Sequence, residues 1–172
     1  MSRIFASSMS NREKYKYNSV VFAKYLIACA NKRCIQINMT KLQKFLYIAY
    51  GLYLAVKDIR LLNEYPKAWP YGPVFPTTRN RLIKEDFTSI DIDDSAFDEL
   101  KGDEEVKSLI ELVFDSFGDY SASMLSEWSH KEESPWGDSV SRQGFKWGDV
   151  MDDDSIQNYF KKITKKKDGA PV

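Results

Sequence analysis

The chain has 172 residues, a length typical of one domain that buries about 70% of its unfolded surface. Its 25 basic and 25 acidic residues cancel, which argues against a dedicated nucleic-acid binder, since such proteins usually carry a basic excess. Two cysteines, Cys29 and Cys34, are too few for a disulfide framework. No apolar signal segment follows Met1, so we expect a protein of the cytoplasm.

The first predicted elements are a flexible lead-in and an amphipathic helix. Residues 1–17 are mostly polar and basic, so we expect them to be flexible. Asn18 can cap the helix that follows. Its apolar residues recur at i, i+3, i+4 and i+7 and predict an inward stripe of Phe22, Tyr25, Leu26 and Cys29. This position favours a buried and inert thiol for Cys29.

The segment from Thr40 to Val56 predicts the central helix of the fold, with Thr40 as its cap. No charged residue occurs between Phe45 and Val56, and a helix that is apolar all round is surrounded by protein or lipid. The run is too short for a bilayer, which needs about 20 residues. The predicted inward face is Leu42, Phe45, Leu46, Ala49, Tyr53 and Val56. Gly51 predicts the close approach of a second backbone.

A stiff aromatic connector follows the central helix. Residues 68–76 read AWPYGPVFP, and proline is excluded from helix interiors and central strands. The sequence therefore predicts a connector on the surface of the core, whose rings either seal the core edge or contact a partner. Just before it, Ile59–Leu62 and Tyr65–Trp69 predict two short strands around Asn63-Glu64, as a small β-hairpin-like element.

The second half of the chain predicts further helices. One spans residues 74–84, with Thr77 or Thr78 near its cap, and a solvated acidic loop follows at 85–102. Asp103 caps the next helix, which Gly118 ends. Three more are predicted at 121–130, 135–141 and 152–167. The last opens with aspartates and closes with lysines, as the helix dipole favours.

Together these elements predict a mainly α fold, a compact helical domain around a central buried helix. The predicted domain spans residues 18–163, and residues 164–172 are predicted to be a flexible tail.

The side chains that usually carry chemistry are scarce. His130 is the only histidine, and Glu127 with His130 has the Glu-x-x-His spacing of half a di-iron site, which normally needs that motif twice. We therefore expect no metal, no cofactor and no catalysis, with His130 and Glu127 joining two helices by hydrogen bonds. Two other classes stay open: a nucleic-acid-binding or phage-related regulator that uses the late lysines, and, less favoured, a metal-dependent enzyme centred on His130.

Several motifs occur in the order seen in one known family. They are Leu46-Tyr47, Ala49, Gly51 and Leu54-Ala55 in the central helix, then Ala68-Trp69 and Gly72-Pro73-Val74, then Asp119-Tyr120-Ser121-Ala122, Leu125-Ser126-Glu127, Ser129-His130 and Pro135-Trp136. With these motifs the chain resembles the Panacea domain of SocA-like and phage-associated antitoxins. The resemblance extends from about Asn18 to Trp147.

The resemblance implies the antitoxin of a toxin–antitoxin system. Such a domain neutralises a cognate toxin, commonly encoded by the adjacent gene, by direct binding or as an adaptor to a cytoplasmic protease. Neither a membrane nor a nucleic acid is an expected partner. Aromatic side chains dominate many protein interfaces, and the two aromatic segments supply the candidate contacts Trp69, Tyr71, Phe75, Glu127, His130 and Trp136.

Overall fold

The computed structural model describes residues 14–169, with side chains through Lys165. Its helices are α1 (Ser19–Lys32), α2 (Met39–Lys57), α3 (Pro76–Leu82), α4 (Asp98–Lys101), α5 (Glu104–Phe117), α6 (Ala122–Ser129), α7 (Pro135–Val140) and α8 (Asp153–Gly169). Its strands are β1 (Tyr15–Tyr17), β2 (Arg60–Leu62), β3 (Lys67–Trp69) and β4 (Gly72–Val74). The mainly α fold class is confirmed.

Helix α2 lies at the centre of the domain, as its charge-free sequence predicted. Every residue from Leu42 to Gly51 is buried, and α8, α5, α6, β2 and β4 all pack against it. Two details differ from the prediction. The cap is Asn38, whose side chain accepts a hydrogen bond from the Lys41 amide, so the helix begins one residue before Thr40. Val56, predicted to face inward, is 70% exposed, so the buried face of α2 ends before it.

Gly51 allows α8 to pack tightly on α2. A Cβ at this position would lie 2.1 Å from Cε2 and 2.2 Å from Cδ2 of Phe160. The predicted close approach is therefore confirmed, but the neighbour is an aromatic ring rather than a second backbone. The Phe160 ring also packs edge-on against Tyr47, with their centroids 5.5 Å apart.

The flanking helices follow their predicted caps. The side chain of Asn18 caps α1, and that of Asp103 caps α5, where it accepts from the amides of Glu105 and Val106. Cys29 is half-buried rather than fully buried, and burial raises the pKa of its thiol, as expected of an unreactive cysteine. Trp128 of α6 packs against the core, with the centroid of its ring 5.1 Å from that of Phe117.

The acidic segment 85–102 is more ordered than the predicted solvated loop. Two 3₁₀ turns, Phe87–Ser89 and Ser95–Phe97, precede α4, and the side chains of Asp86 and Asp94 cap them. Phe97 is buried beside Tyr25 of α1, with ring centroids 5.5 Å apart. The acidic residues thus support local turns while an aromatic side chain fastens the segment to the core.

Both predicted strands exist, but their predicted pairing is wrong. β2 pairs in parallel with β1, and β3 pairs antiparallel with β4. Asn63 and Glu64, placed at the turn of the predicted hairpin, are used to cap helices instead. Asn63 Oδ1 accepts from the Ser19 amide of α1, and the Glu64 carboxylate accepts from the amide and hydroxyl of Thr78 in α3.

The proline-rich connector is also corrected. It was predicted to lie on the surface, yet Pro73 and Val74 are buried and form part of β4. A proline is tolerated there because β4 pairs with β3 alone and so is an edge strand. The next proline, Pro76, starts α3 at the first helical position, where a missing N–H costs least.

The predicted domain boundaries fall only in part on described residues. Residues 1–13 of the lead-in and 170–172 of the tail lie outside them. Tyr15–Tyr17 of the predicted lead-in form β1, and α8 continues past residue 164 to Gly169. The boundaries themselves stay a prediction. Within residues 14–169, no helix combines the length and the apolar character that crossing a membrane requires.

The contact between Gly51 and Phe160 gives a stability prediction. An alanine in a helix interior normally gains about 1 kcal/mol over glycine, but here its methyl must displace a buried ring, and overpacking costs about 1–3 kcal/mol. We expect Gly51→Ala to yield no net stabilisation and Gly51→Leu to lower the free energy of unfolding by at least about 2 kcal/mol. Urea denaturation measures both values.

The matched control is the double variant Gly51→Ala with Phe160→Leu, which removes the crowding ring. If Gly51→Ala alone stabilises the protein by the full helix-propensity amount, the close approach has no energetic consequence.

Candidate partner-binding site

The antiparallel hairpin of β3 and β4 carries the most exposed aromatic residue of the candidate set. Trp69 pairs with Gly72, so Pro70 and Tyr71 form a two-residue turn. Proline in the second position and glycine in the fourth suit a type I turn. Tyr71 is 77% exposed. We call residues 69–75 the tip segment.

Four side chains from the surrounding helices bond to the backbone of the tip segment. Trp136 Nε1 donates to the carbonyl oxygen of Trp69 at 2.8 Å, and Lys44 Nζ donates to that of Pro73 at 3.2 Å. His130 Nε2 donates to the Pro70 carbonyl oxygen at 2.8 Å, and the Phe75 amide donates to Gln43 Oε1 at 2.7 Å. These four bonds attach the segment to α2, to the C-terminal end of α6 and to α7.

His130 links two parts of the chain through its ring. Nε2 faces the Pro70 carbonyl, while Nδ1 faces the Ser126 carbonyl one helical turn earlier. Because carbonyl oxygens only accept hydrogen bonds, both bonds form together only when the ring is doubly protonated. The ring also packs against Trp136, with centroids 4.1 Å apart. The prediction that His130 joins two helices by hydrogen bonds is corrected, because its ring faces carbonyls of α6 and of the hairpin turn, and its contact with α7 is the packing against Trp136.

Glu127 does not take part in this junction through its side chain, which is exposed. Only its backbone carbonyl is used, as an acceptor for the His130 amide. Among the side chains that the structure describes, residues 14–165, no group of three histidine, cysteine or acidic residues is arranged to hold a metal ion.

The structure separates the three aromatic candidates of the connector. Tyr71 is exposed, whereas Trp69 is half-buried with the Arg79 guanidinium 5.5 Å from its ring centroid. Phe75 is 0% exposed and packs against Tyr50 in the core. Along the segment, exposure ends after Tyr71, because β4 and Phe75 are buried. Phe75 is therefore corrected from a candidate contact to a core residue.

A third extended segment brings another aromatic residue to this region. On the edge of β3 opposite β4, the Gly148 amide donates to the Ala68 carbonyl, and the Ala68 amide donates to the Asp149 carbonyl. Trp147, just before this segment, is 57% exposed and lies 6.2 Å from Trp136 between ring centroids. The aromatic cluster therefore runs from the half-buried Trp136 to the exposed Trp147.

Lys44 approaches the tip segment from inside the protein. Its side chain is 1% exposed, and loss of water around the ammonium group lowers its pKa to about 8. It lies directly beneath Gly72, where an added Cβ would be 2.8 Å from Lys44 Cε and 2.6 Å from Ser129 Oγ. Gly72 also has φ 112°, a conformation that glycine adopts without strain.

Sequence reasoning missed three members of this site: Gln43, Lys44 and Trp147. Gln43 and Lys44 immediately precede the charge-free part of α2. Since that helix was predicted to be buried on all sides, the same argument extended by one turn would have placed both polar side chains inside. For Trp147 the local sequence held no comparable signal, because its position depends on pairing with β3.

The amino-acid sequence matches a known family across this region. Residues 42–137, which are 96 of the 172 residues, match the family described as antitoxin SocA-like, Panacea domain. The chain belongs to this family. The resemblance drawn from the motifs is thereby confirmed, and the matched region includes the tip segment and all four side chains that bond to it.

A curated relative supports the same assignment. Over 115 residues the chain is 35% identical to the protein named Antitoxin SocA from Caulobacter vibrioides (strain NA1000 / CB15N). The alignment covers 59% of this chain, and the chain spans only 59% of the relative's length. No solved structure matches the chain.

The buried ammonium of Lys44 gives a pH prediction. Its pKa of about 8 in the folded protein lies below the ordinary value of 10.5, so between these pH values the unfolded chain binds the extra proton and stability rises with pH. We compare the free energy of unfolding of the wild type with that of Lys44→Met. Between pH 7 and 9.5 we expect this difference to change by about 2 kcal/mol in favour of the wild type. Denaturant unfolding of both proteins across this range measures the gain.

Because Cys29 and the buried tyrosines titrate alike in both proteins, their effects cancel in the difference. If the unfolding free energies of the two proteins change with pH in parallel, the pKa of Lys44 is the same in the folded and unfolded states, which contradicts the prediction.

Proposed function

We propose that this protein is an antitoxin that acts in the cytoplasm and neutralises a toxin protein by binding it directly. The observation that carries the proposal is the family match over residues 42–137, together with the relative named an antitoxin. We further propose that the toxin is encoded by the adjacent gene and that the tip segment lies at the centre of the contact.

The geometry of the tip segment suits a binding anchor. Tyr71 offers a large, exposed side chain with few rotatable bonds, and tyrosine is enriched among the residues that dominate binding energy. The four hydrogen bonds to the segment order its backbone before any partner arrives. A surface that is ordered in advance loses less conformational entropy on binding, so more of the contact energy contributes to affinity.

We infer that the protein acts without catalysis. Both ring nitrogens of the single histidine face backbone carbonyls, which supports a structural role. Glu127, the acidic residue of the predicted Glu127–His130 pair, is exposed. Neutralisation by complementarity of surfaces needs neither group as an acid or a base.

The functional prediction concerns Tyr71. If it is an anchor, Tyr71→Ala weakens the complex with the toxin by about 2 kcal/mol, or about 30-fold in Kd, as for interface hot spots. The melting temperature of the Tyr71→Ala variant should equal that of the wild type, because the Tyr71 side chain contributes little to the core. Growth rescue on co-expression with the adjacent gene, affinity of the purified pair and thermal melting are measured in parallel.

Two controls separate binding from folding. Tyr15 on β1 is 54% exposed and outside the site, so Tyr15→Ala should leave affinity unchanged. Phe75→Ala should lower the unfolding free energy by about 3–5 kcal/mol, since it empties a core position. A toxin whose effect the wild type does not relieve, or an adjacent gene that is harmless alone, contradicts the proposal.

The same co-expression distinguishes two forms of neutralisation. With direct inhibition, the toxin stays abundant while growth recovers. With delivery to a protease, the toxin level falls only when the antitoxin is present, and it recovers in a strain without the protease.

A further inference from the structure

The hairpin that carries Tyr71 is poorly stabilised by its own strands. β3 and β4 pair over only three residues each, and isolated two-stranded hairpins are at best marginally stable in water. Pro73 lies opposite Ala68, whose amide and carbonyl bond to residues 148–149 on the other edge of β3, so this pair adds no hydrogen bond between the two strands. The shape of the turn must therefore depend on the side chains that bond to its backbone from outside.

Among the four side chains that bond to the tip segment, Lys44 is the one that brings a buried ammonium group to it. It reaches the turn from the buried side, and the oxygen of Pro73 is the hydrogen-bond partner of its ammonium group. No acidic side chain of the described residues pairs with it. Removing a cation from water is costly when no acidic group compensates it.

The position of Lys44 is thus poorly explained by stability. A methionine has nearly the same length, would fill the space beneath Gly72, and carries no charge to desolvate. Replacing buried charged groups with apolar ones of similar volume is often neutral or stabilising. What a methionine cannot supply is a donor for the Pro73 carbonyl. The lysine therefore contributes local geometry rather than overall stability.

We propose that Lys44 is a positioning residue that fixes the tip segment by holding the Pro73 carbonyl, and so sets the direction in which Tyr71 meets the partner. The partner touches Tyr71 and not Lys44, which acts through the backbone between them. The part of this inference that concerns the partner rests on the proposed function, whereas the part that concerns the order of the hairpin does not.

The test compares Lys44→Met with Lys41→Met. Lys41 is on the same helix, one turn earlier, and its ammonium lies over the Phe45 ring rather than at the hairpin. Backbone ¹⁵N relaxation of Tyr71 and Gly72 and the indole N–H signal of Trp136 report the order of the tip segment in the isolated protein. Thermal melting at pH 7 reports the fold, and titration with the toxin reports affinity.

We expect Lys44→Met to melt at or above the wild-type temperature while Tyr71 and Gly72 become mobile on the nanosecond-to-millisecond scale. Affinity for the toxin should fall at least tenfold, and Lys41→Met should match the wild type in all three measurements. A hairpin that is as ordered in Lys44→Met as in the wild type overturns the inference. So does a Lys44→Met protein with a mobile hairpin and unchanged affinity.

The wild-type protein provides a reading that does not depend on the variant's folding. The Nζ protons of Lys44 should exchange slowly with water and correlate with the Pro73 carbonyl in an NMR experiment. A freely exchanging ammonium group overturns the inference even if Lys44→Met fails to fold. If no toxin binds the wild type, the proposed function fails, while the relaxation and exchange measurements still decide whether Lys44 orders the hairpin.

Discussion

The burial of α2 on all sides is the constraint on which the rest of this structure depends. An unbroken run from Leu42 to Gly51 is inaccessible to water, so other elements must cover the helix around its whole circumference. Helix α8 is one of these elements, and its Phe160 ring occupies the space that a side chain at Gly51 would need. The domain is therefore assembled around one helix rather than between two layers.

The same constraint creates the candidate site. Gln43 and Lys44 lie within the buried run, so their polar groups must find partners inside the protein. Both partners lie in the backbone of the proline-rich hairpin, where the Lys44 ammonium donates to the Pro73 carbonyl and the Gln43 oxygen accepts from the Phe75 amide. Two needs are met by one arrangement: buried polar groups obtain partners, and a short hairpin obtains a fixed shape. The core and the partner-binding surface are consequently joined through two residues of α2.

Much of the helical content followed from local sequence. Asn18 and Asp103 were recognised as caps because a side-chain oxygen that satisfies free amides acts within three residues of the chain. The central position of α2 followed from the absence of charge between Phe45 and Val56. Within the site, the tip segment and His130 were found through their aromatic and proline-rich surroundings. Phe75 was predicted to be a candidate contact but is buried in the core.

The sequence by itself determined that the chain is mainly helical, that α2 is its buried centre, and which family it belongs to, because caps, periodicity and motifs are local properties. Tertiary structure alone decided that β2 pairs with β1 and β3 with β4, since short strands have no preference for a partner until helices fix their positions. It also decided that Glu64 caps α3 and that Lys44 bonds to Pro73. These contacts join residues far apart in the chain, and only the packing of α2 brings their atoms within hydrogen-bonding distance.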